Sequence, residues 1–425
     1  MSKRNWFVRS TLALLAASAS VVLVTGCEKK KTNGGTPASG SSGAGGAASA
    51  PGVTATEIKL GQTMPYSGPA SAYGVIGKTE AGFFKMINEK GGINGRKINL
   101  VSYDDSYNST KTVEQIRKLV ESDGVAFIFN SLGTAQNSAI QGYLNDKKVP
   151  QLFVATGADK WADPEKHPWT MGFQPSYRTE SKIYGQYLLA EKPDAKLCVL
   201  YQNDDFGKDY LIGLKAGLGD KYDKMVIKTA SYEVTDPTID SQVVSLQAAG
   251  CDSLLTAATP KFAAQTIRKV FDIGWKPFHI VTNVAVSRTT VLQPAGLEKA
   301  TGLVTAGYIL DPSCPNTNDM AGMNEYRAFM KQWLPELDPN DNNSVYAYAV
   351  SLTLVKVLTE CGNDLSRENI MKQAASLSHF TLPVSSPEVE INTSATDFRP
   401  FAQMQLAKFD GRPTSATSAR PARSA

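Results

Sequence analysis

The segment FNSLGTAQNSAI (residues 129–140) joins an apolar, strand-like run to a helix-like run through a small, hydroxyl-bearing turn. Such a turn suits a catalytic elbow, a phosphate cradle or a binding corner without chemistry of its own. The start of a helix presents unpaired backbone N–H groups and a partial positive charge, so it attracts anionic groups. Gly133 allows the backbone to approach such a group closely, and Thr134 adds a hydroxyl.

A second turn of the same kind follows the next strand-like run. The segment VATGA (154–158) offers Ala155, Thr156 and Gly157. Either turn alone is as consistent with a structural strand–helix connection as with a binding corner. Two such turns at neighbouring strand ends favour a shared cradle, because open α/β sheets bind ligands at the carboxyl ends of their strands.

No enzymatic motif is complete in this chain. GVIGKTE (74–80) contains Gly-Lys-Thr, but Ala72 stands where a phosphate-binding loop needs glycine. We find no GxSxG elbow and no GxGxxG after a strand, and the three histidines are scattered. The acidic pairs in YDD (103–105) and NDD (203–205) suit turn and cap roles better than cation binding. The sequence therefore predicts a protein that is not an enzyme and uses no cofactor and no metal.

Length and charge narrow the class of protein. A chain of 425 residues exceeds one ordinary domain, so we expect two lobes. The net charge of +4 is slight, and no dense Lys/Arg stripe follows the first 31 residues. Nucleic-acid binding is therefore not expected.

The N-terminal residues are expected to be an export signal. Basic residues precede the apolar stretch 12–24, which is short for a membrane span. The following LVTGC resembles a bacterial lipobox, which implies removal of residues 1–26 and lipidation of Cys27. An ordinary secretory signal with a chance cysteine is the alternative. Residues 27–55 are rich in Gly, Ser and Ala and predict a flexible tether.

The other four cysteines show no CxxC spacing, which argues against zinc and thioredoxin-type sites. Cys198 and Cys251 lie in apolar, strand-like runs and are predicted to be buried thiols. Cys314 and Cys361 are candidates for a disulfide in an oxidising compartment, a point that the sequence leaves open.

From Glu57 onward, short β-rich apolar runs alternate with longer amphipathic segments. The predicted strands are 58–64, 97–103, 125–130, 151–156, 196–201, 225–230, 252–257, 278–283, 302–307 and 404–411. Because helix-length segments separate them, the crossovers predict parallel sheets. The fold class is therefore α/β with two lobes, each a mainly parallel sheet flanked by helices. The low-complexity tail 412–425 is predicted to be disordered.

Several segments resemble the periplasmic solute-binding proteins of ABC importers, of the branched-chain amino-acid (leucine/isoleucine/valine-binding) type. They are IKLGQTMPYSGPASAYG, EKGGINGRKINLVSYDD, SLGTAQNSAI, VPQLFVATGA and YQNDDFGKDY. The resemblance implies a type I periplasmic binding fold. Its lobe 1 would hold residues 56–174 and 308–400, and its lobe 2 residues 175–307 and 401–411.

The resemblance also implies ligand-facing positions. Tyr73, just after SGP, stands where this family commonly places an aromatic wall against the ligand. Phe206 matches a position in the far lobe that is usually aromatic, and Thr259 matches the loop after the next ligand-facing strand. Ordinary core packing is the alternative for both aromatic residues.

One position departs from the family pattern. Amino-acid binders of this type hold the ligand ammonium with an acidic side chain, whereas Asn283 stands near that position here. An unpaired ammonium in a closed cleft is costly. We therefore expect a carboxylate ligand without an α-amino group, such as an aromatic or aliphatic acid. Asp205 is an alternative source of the missing charge and keeps amino acids open.

The implied function is solute capture by hinge closure. A monomeric clamp on the periplasmic or cell-surface side of the membrane would deliver a small solute to the membrane subunits of an ABC-type importer. The chain is expected to cross between the lobes near 174–177, 305–308 and 399–401. A ligand-binding sensor subunit uses the same clamp and stays an alternative.

Overall fold

The computed structural model describes residues 50–411 and 421–423. The predicted signal segment, Cys27 and nearly all of the tether lie outside the described residues, so the predictions made for them are not tested. Within the described range, none of the helices combines the length and the apolar character that a membrane crossing requires.

The first sheet comes from the N-terminal part of the described chain. Strands β1 to β5 are Glu57–Met64, Lys97–Asp104, Phe127–Phe129, Gln151–Val154 and Thr170–Gly172. They pair in parallel in the order β2-β1-β3-β4-β5. β3 and β4 are buried along their whole length, as expected where helices cover both faces of a parallel sheet.

The second sheet holds the later strands. Strands β6 to β10 are Leu197–Gln202, Val226–Tyr232, Ser253–Ala257, Phe278–Val281 and Val304–Gly307. Further strands are β11 (Phe380–Thr381), β12 (Glu390–Ile391), β13 (Gln403–Lys408) and β14 (Pro421–Arg423). The sheet order is β14-β13-β10-β9-β8-β6-β7, parallel except at β13 and β14, while β11 and β12 form a separate ribbon. The predicted α/β class with mainly parallel sheets is confirmed.

Of the tail 412–425, the structure describes residues 421–423 alone, so the prediction of disorder for it is not tested. These three residues form β14, which pairs antiparallel with β13. The pairing gives β13 a partner where it would otherwise be an edge strand with unpaired N–H and C=O groups.

Helices surround both sheets. Helices α1 to α12 are Gly74–Glu89, Ser109–Arg117, Thr134–Asp146, Tyr177–Glu191, Asp205–Leu218, Tyr222–Met225, Asp240–Ala248, Pro260–Asp272, Gln293–Ala295, Ala321–Trp333, Asn342–Glu360 and Arg367–Ala374. The chain leaves the first sheet after β5 and builds the second sheet up to β10. It then returns to the first sheet, because α10 and α11 pack on α1. It then passes back to the second sheet at β13. We call the first sheet with its helices lobe 1 and the second lobe 2; the residue boundaries given above remain a prediction.

Caps determine where two of the helices beside the cleft begin. The Ser176 side chain accepts hydrogen bonds from the N–H groups of Arg178 and Thr179 at the start of α4. The Asp204 side chain accepts one from the N–H of Gly207 at the start of α5. Each cap satisfies backbone donors that a helix start leaves unpaired. The capped N–H groups of Arg178, Thr179 and Gly207 are therefore not available to a ligand.

The prediction that Cys198 and Cys251 are thiols is wrong, although both are buried as predicted. Cys198 in β6 and Cys251, just before β8, form a disulfide with their Cα atoms 5.8 Å apart. β6 and β8 are neighbours, with Cys198 opposite Leu254, which brings the second cysteine within reach. Cys314 and Cys361 are buried and are not joined to each other. A disulfide is consistent with the oxidising compartment of an exported protein.

Candidate functional site

The two predicted corners of lobe 1 meet. The hydroxyl oxygens Oγ1 of Thr134 and Thr156 lie 2.5 Å apart and share a hydrogen bond. Leu132 and Ala155, at the ends of neighbouring strands, form a parallel bridge beside them. All four residues line one cavity of about 320 Å³ between the lobes. Two separate turns of the sequence therefore form one continuous surface.

Gly133 opens the first turn of α3 toward this cavity, which it lines. Its φ of 103° lies in the left-handed region that favours glycine. Within the described part of the chain, no side chain caps this helix, so the N–H groups of its first turn are left for another partner. A Cβ atom at this position would lie 2.2 Å from Gln136 Oε1 and 2.8 Å from the Tyr107 ring. Both the backbone and the available space therefore require glycine.

The other predicted contacts come from both lobes. Tyr73 in lobe 1 and Phe206, Thr259 and Asn283 in lobe 2 line the same cavity. Tyr73 and Phe206 are nearly inaccessible to solvent, and burial raises the pKa of the Tyr73 hydroxyl well above its ordinary value, so this group is neutral. The positions suggested by the resemblance thus converge on the two corners.

Hydrogen bonds join the lobes around the cavity. The Tyr73 hydroxyl donates to the backbone carbonyl of Val284 at 2.8 Å. Farther along, the Ser287 hydroxyl donates to Asp341 Oδ1 at 3.0 Å. Tyr73 and Asp341 belong to helices or turns beside the first sheet, and their partners lie beside the second. These two hydrogen bonds therefore link lobe 1 to lobe 2 beside the cavity.

Two predicted residues lie elsewhere. Gly157 does not line the cavity, because it packs on the chain that crosses between the lobes: a Cβ there would lie 2.3 Å from the Pro175 carbonyl oxygen. The Asp205 side chain is more than half exposed and forms an ion pair with Lys160 at 2.7 Å. It points away from the cavity and cannot replace the missing acidic side chain at Asn283.

Sequence reasoning missed other wall residues. Tyr107, Gln174 and Tyr177 line the cavity, and the Tyr177 ring lies 5.0 Å from that of Phe206 in an edge-to-face arrangement. The sequence nevertheless contained indications of these three residues. Gln174 and Tyr177 lie in the segment predicted to cross between the lobes, and Tyr107 follows the end of β2, as the two corners follow the ends of β3 and β4.

A buried carboxyl group lies behind Asn283. Glu180 is inaccessible to solvent and accepts hydrogen bonds from the hydroxyls of Tyr184 (2.6 Å) and Tyr210 (2.8 Å). It also accepts from both the backbone and the side-chain N–H groups of Asn283. The Tyr184 hydroxyl accepts in turn from the N–H of Ala306 at 2.9 Å. This network ties the first crossing to the cavity wall and to the second crossing; no sequence pattern indicated it.

Burial raises the pKa of Glu180 from its ordinary value of 4.5 to about 7, although the hydrogen bonds it accepts from Tyr184, Asn283 and Tyr210 lower it. Between pH 4.5 and about pH 7, the Glu180 carboxyl group is therefore protonated in the native state and ionised in the unfolded chain. The stability from Glu180 is complete below pH 4.5 and is lost as the pH rises through about 7.

Glu180→Gln is accordingly expected to flatten the pH dependence of stability. Over the range from pH 4.5 to 7.5, the free energy of unfolding should fall by about 3 kcal/mol more in the wild type than in this variant. Urea denaturation at several pH values measures the difference. Glu191→Gln, on the exposed end of the same helix, is the control and should follow the wild type. Parallel curves for wild type and Glu180→Gln would show that Glu180 does not titrate in this range.

A family model described as periplasmic binding protein matches residues 57–415, which is most of the chain. The chain belongs to the periplasmic binding protein family. The two lobes and the cleft between them are those of the type I fold of this family, so the predicted fold is confirmed.

Relatives of this periplasmic binding protein are distant in sequence. The Leu/Ile/Val-binding protein homolog 7 of Brucella abortus (strain 2308) is 24% identical over 317 residues, covering 72% of this chain and 77% of that protein. A branched-chain amino acid ABC transporter protein from Thermus thermophilus with bound valine has a TM-score of 0.76 at 15% identity, covering 87% of this chain and 97% of that one. A solute-binding protein from R. palustris in complex with benzoate has a TM-score of 0.71 at 17% identity, covering 87% and 98%.

Proposed function

We propose that this periplasmic binding protein is the substrate-binding subunit of an ABC-type importer and captures a small carboxylate-bearing solute by closing its lobes. The observation that carries the proposal is the single cavity into which both corners of lobe 1 open and which lobe 2 covers. A carboxylate at the start of α3 gains about 0.3–1 kcal/mol from the helix dipole, before its individual hydrogen bonds. The solute favours closure because the closed state offers contacts from both lobes.

We further propose that the solute has no α-amino group, such as an aromatic or aliphatic acid. Asn283 supplies no charge, and Asp205 faces solvent. Glu180 is buried behind Asn283 with hydrogen-bond donors on both carboxyl oxygens. Asp311, the acidic residue among those lining the cavity in the described chain, follows the second crossing and accepts at Oδ1 from the N–H and the hydroxyl of Ser313. An ammonium group held beside Asn283 would therefore lack an acidic partner, at considerable cost.

An amino-acid ligand is the second candidate, favoured by the names of the Leu/Ile/Val-binding relative and of the valine-bound neighbour. Membership of the family implies a periplasmic or extracellular location. We propose in addition that Cys27 carries a lipid anchor and that the protein acts as a monomer. A sensor subunit would use the same clamp.

Isothermal titration calorimetry with matched ligand pairs tests the proposal. Leucine and 4-methylpentanoate differ only in the amino group, as do phenylalanine and 3-phenylpropanoate. We expect the acids to bind with Kd values of about a micromolar, corresponding to about −8 kcal/mol, and the amino acids at least about tenfold more weakly. The amide 4-methylpentanamide, which lacks the carboxylate, is the control and should not bind. The reverse ranking of acids and amino acids would establish the second candidate, and equal binding of the amide would remove the carboxylate cradle.

A further inference from the structure

The cavity is larger than the smallest candidate solutes require. A cavity of about 150 Å³ is sufficient for benzene, whereas this one has a volume of about 320 Å³. Benzene has six non-hydrogen atoms, so a cavity of this volume has room for about twelve or thirteen of them. Benzoate and leucine each have fewer. Part of the cavity therefore stays empty when a small solute occupies the corners.

The extra volume extends away from the corners along lobe 2. We call this part the tail chamber and define it by its apolar wall residues, which are Val286, Leu292, Leu303, Ala407 and Phe409. They come from the segment after Asn283, from the residue before β10, and from β13 and the residue that follows it; Leu303, Ala407 and Phe409 lie on the same sheet face as Gly307. The charged residues that line the described cavity, Asp311 and Lys408, lie just after the second crossing and on the exposed end of β13. The chamber thus offers apolar surface beyond a polar head site, the usual division in a small-molecule pocket.

The register of β10 and β13 explains why the chamber is open. Thr305 lies opposite Ala407 and Gly307 opposite Gln405, and these half-buried residues alternate with the buried Ala306 and Leu406. A Cβ atom on Gly307 would meet only the carbonyl oxygen of Ile309, at 3.6 Å. The space above Gly307 is therefore empty, and its backbone does not depend on glycine.

We propose that the tail chamber receives the apolar tail of the solute whose carboxylate lies at the two corners. The substrate class is then a monocarboxylic acid with an extended chain, of medium length or ending in an aryl group. This inference rests on the proposed function, because it needs a head group bound at the corners. Each methylene that enters the chamber tightens binding by about two- to fourfold.

A chain-length series tests the inference. Calorimetric titrations of the purified protein with butanoate, hexanoate, octanoate and decanoate should give Kd values that fall at each step. In Gly307→Leu, the new side chain fills the chamber, so the gain in affinity from butanoate to decanoate should disappear. Thr229→Leu places the same side chain on the exposed face of β7, at the opposite edge of the sheet, and should preserve the wild-type series.

A parallel series of 2-aminobutanoate, 2-aminohexanoate and 2-aminooctanoate separates the two proposals. A rising affinity in this series alone, abolished by Gly307→Leu, would support the chamber while contradicting a solute without an amino group. Short acids that bind without any gain from butanoate to decanoate would overturn the chamber and leave the proposed function in place. A gain that persists unchanged in Gly307→Leu would also overturn it.

Discussion

Gly133→Val is expected to abolish solute binding while leaving the protein folded. The valine Cβ would clash with Gln136 Oε1 and approach the Tyr107 ring, and its backbone would have to adopt a φ that β-branched residues avoid. The first turn of α3 must then move, and its N–H groups no longer point at the carboxylate. Losing two charge-assisted hydrogen bonds, at about 1.5 kcal/mol or more each, lowers the affinity by at least about 100-fold. Calorimetric titration with the best-binding acid measures the loss.

Gly142→Ala is the matched control for this prediction. Gly142 lies in the same helix, is exposed, and would bring its Cβ within 4 Å of nothing. The variant should bind as the wild type does and gain slightly in stability, since alanine favours helix more than glycine. Circular dichroism of both variants shows whether they fold. A folded Gly133→Val protein with wild-type affinity would rule out the start of α3 as the carboxylate site.

Removal of the disulfide is expected to cost about 4 kcal/mol of stability. Cys198 and Cys251 close a loop with a sequence separation of 53 residues. A cross-link of this span lowers the conformational entropy of the unfolded chain, which stabilises the native state by about that free energy. The double variant Cys198→Ser/Cys251→Ser should therefore unfold at a clearly lower denaturant concentration than the wild type, with solute affinity largely retained because neither residue lines the cavity. Guanidinium denaturation followed by tryptophan fluorescence gives the difference.

Reduction provides the internal control for the disulfide. A reductant should destabilise the wild type and have no further effect on the double variant. Cys361→Ala removes a cysteine that takes no part in the disulfide and should keep the response of the wild type to reductant. If reduction lowered the free energy of unfolding equally in the wild type and in the double variant, the disulfide would not be what stabilises the protein.

The two corners illustrate what local sequence predicts well. A buried strand followed within a few residues by small and hydroxyl-bearing residues can be recognised over about six positions, and both Thr134 and Thr156 lie where this pattern indicated. Gly133 was recognisable for the same reason, since its role is set by its own φ angle and the next turn of helix. The positions inferred from the resemblance, Tyr73, Phe206, Thr259 and Asn283, also line the cavity.

Contacts between distant residues were not predictable in this way. Asp205 and Phe206 are adjacent at the start of α5, yet the ring lines the cavity and the carboxylate pairs with Lys160. No sequence pattern singled out Glu180, but the packing of Tyr184, Tyr210 and Asn283 around it makes it a buried carboxyl group.

The sequence by itself determined the alternation of strands and helices, the parallel sheets and the position of the two corners, because steric preferences and hydrophobic periodicity act over a few neighbouring residues. Only the tertiary structure decided that Cys198 bonds to Cys251, that Glu180 rather than Asp205 lies behind the cavity wall, and that the cavity continues past Gly307. These outcomes depend on strand order and on how the lobes meet, which bring together residues that are far apart in the chain.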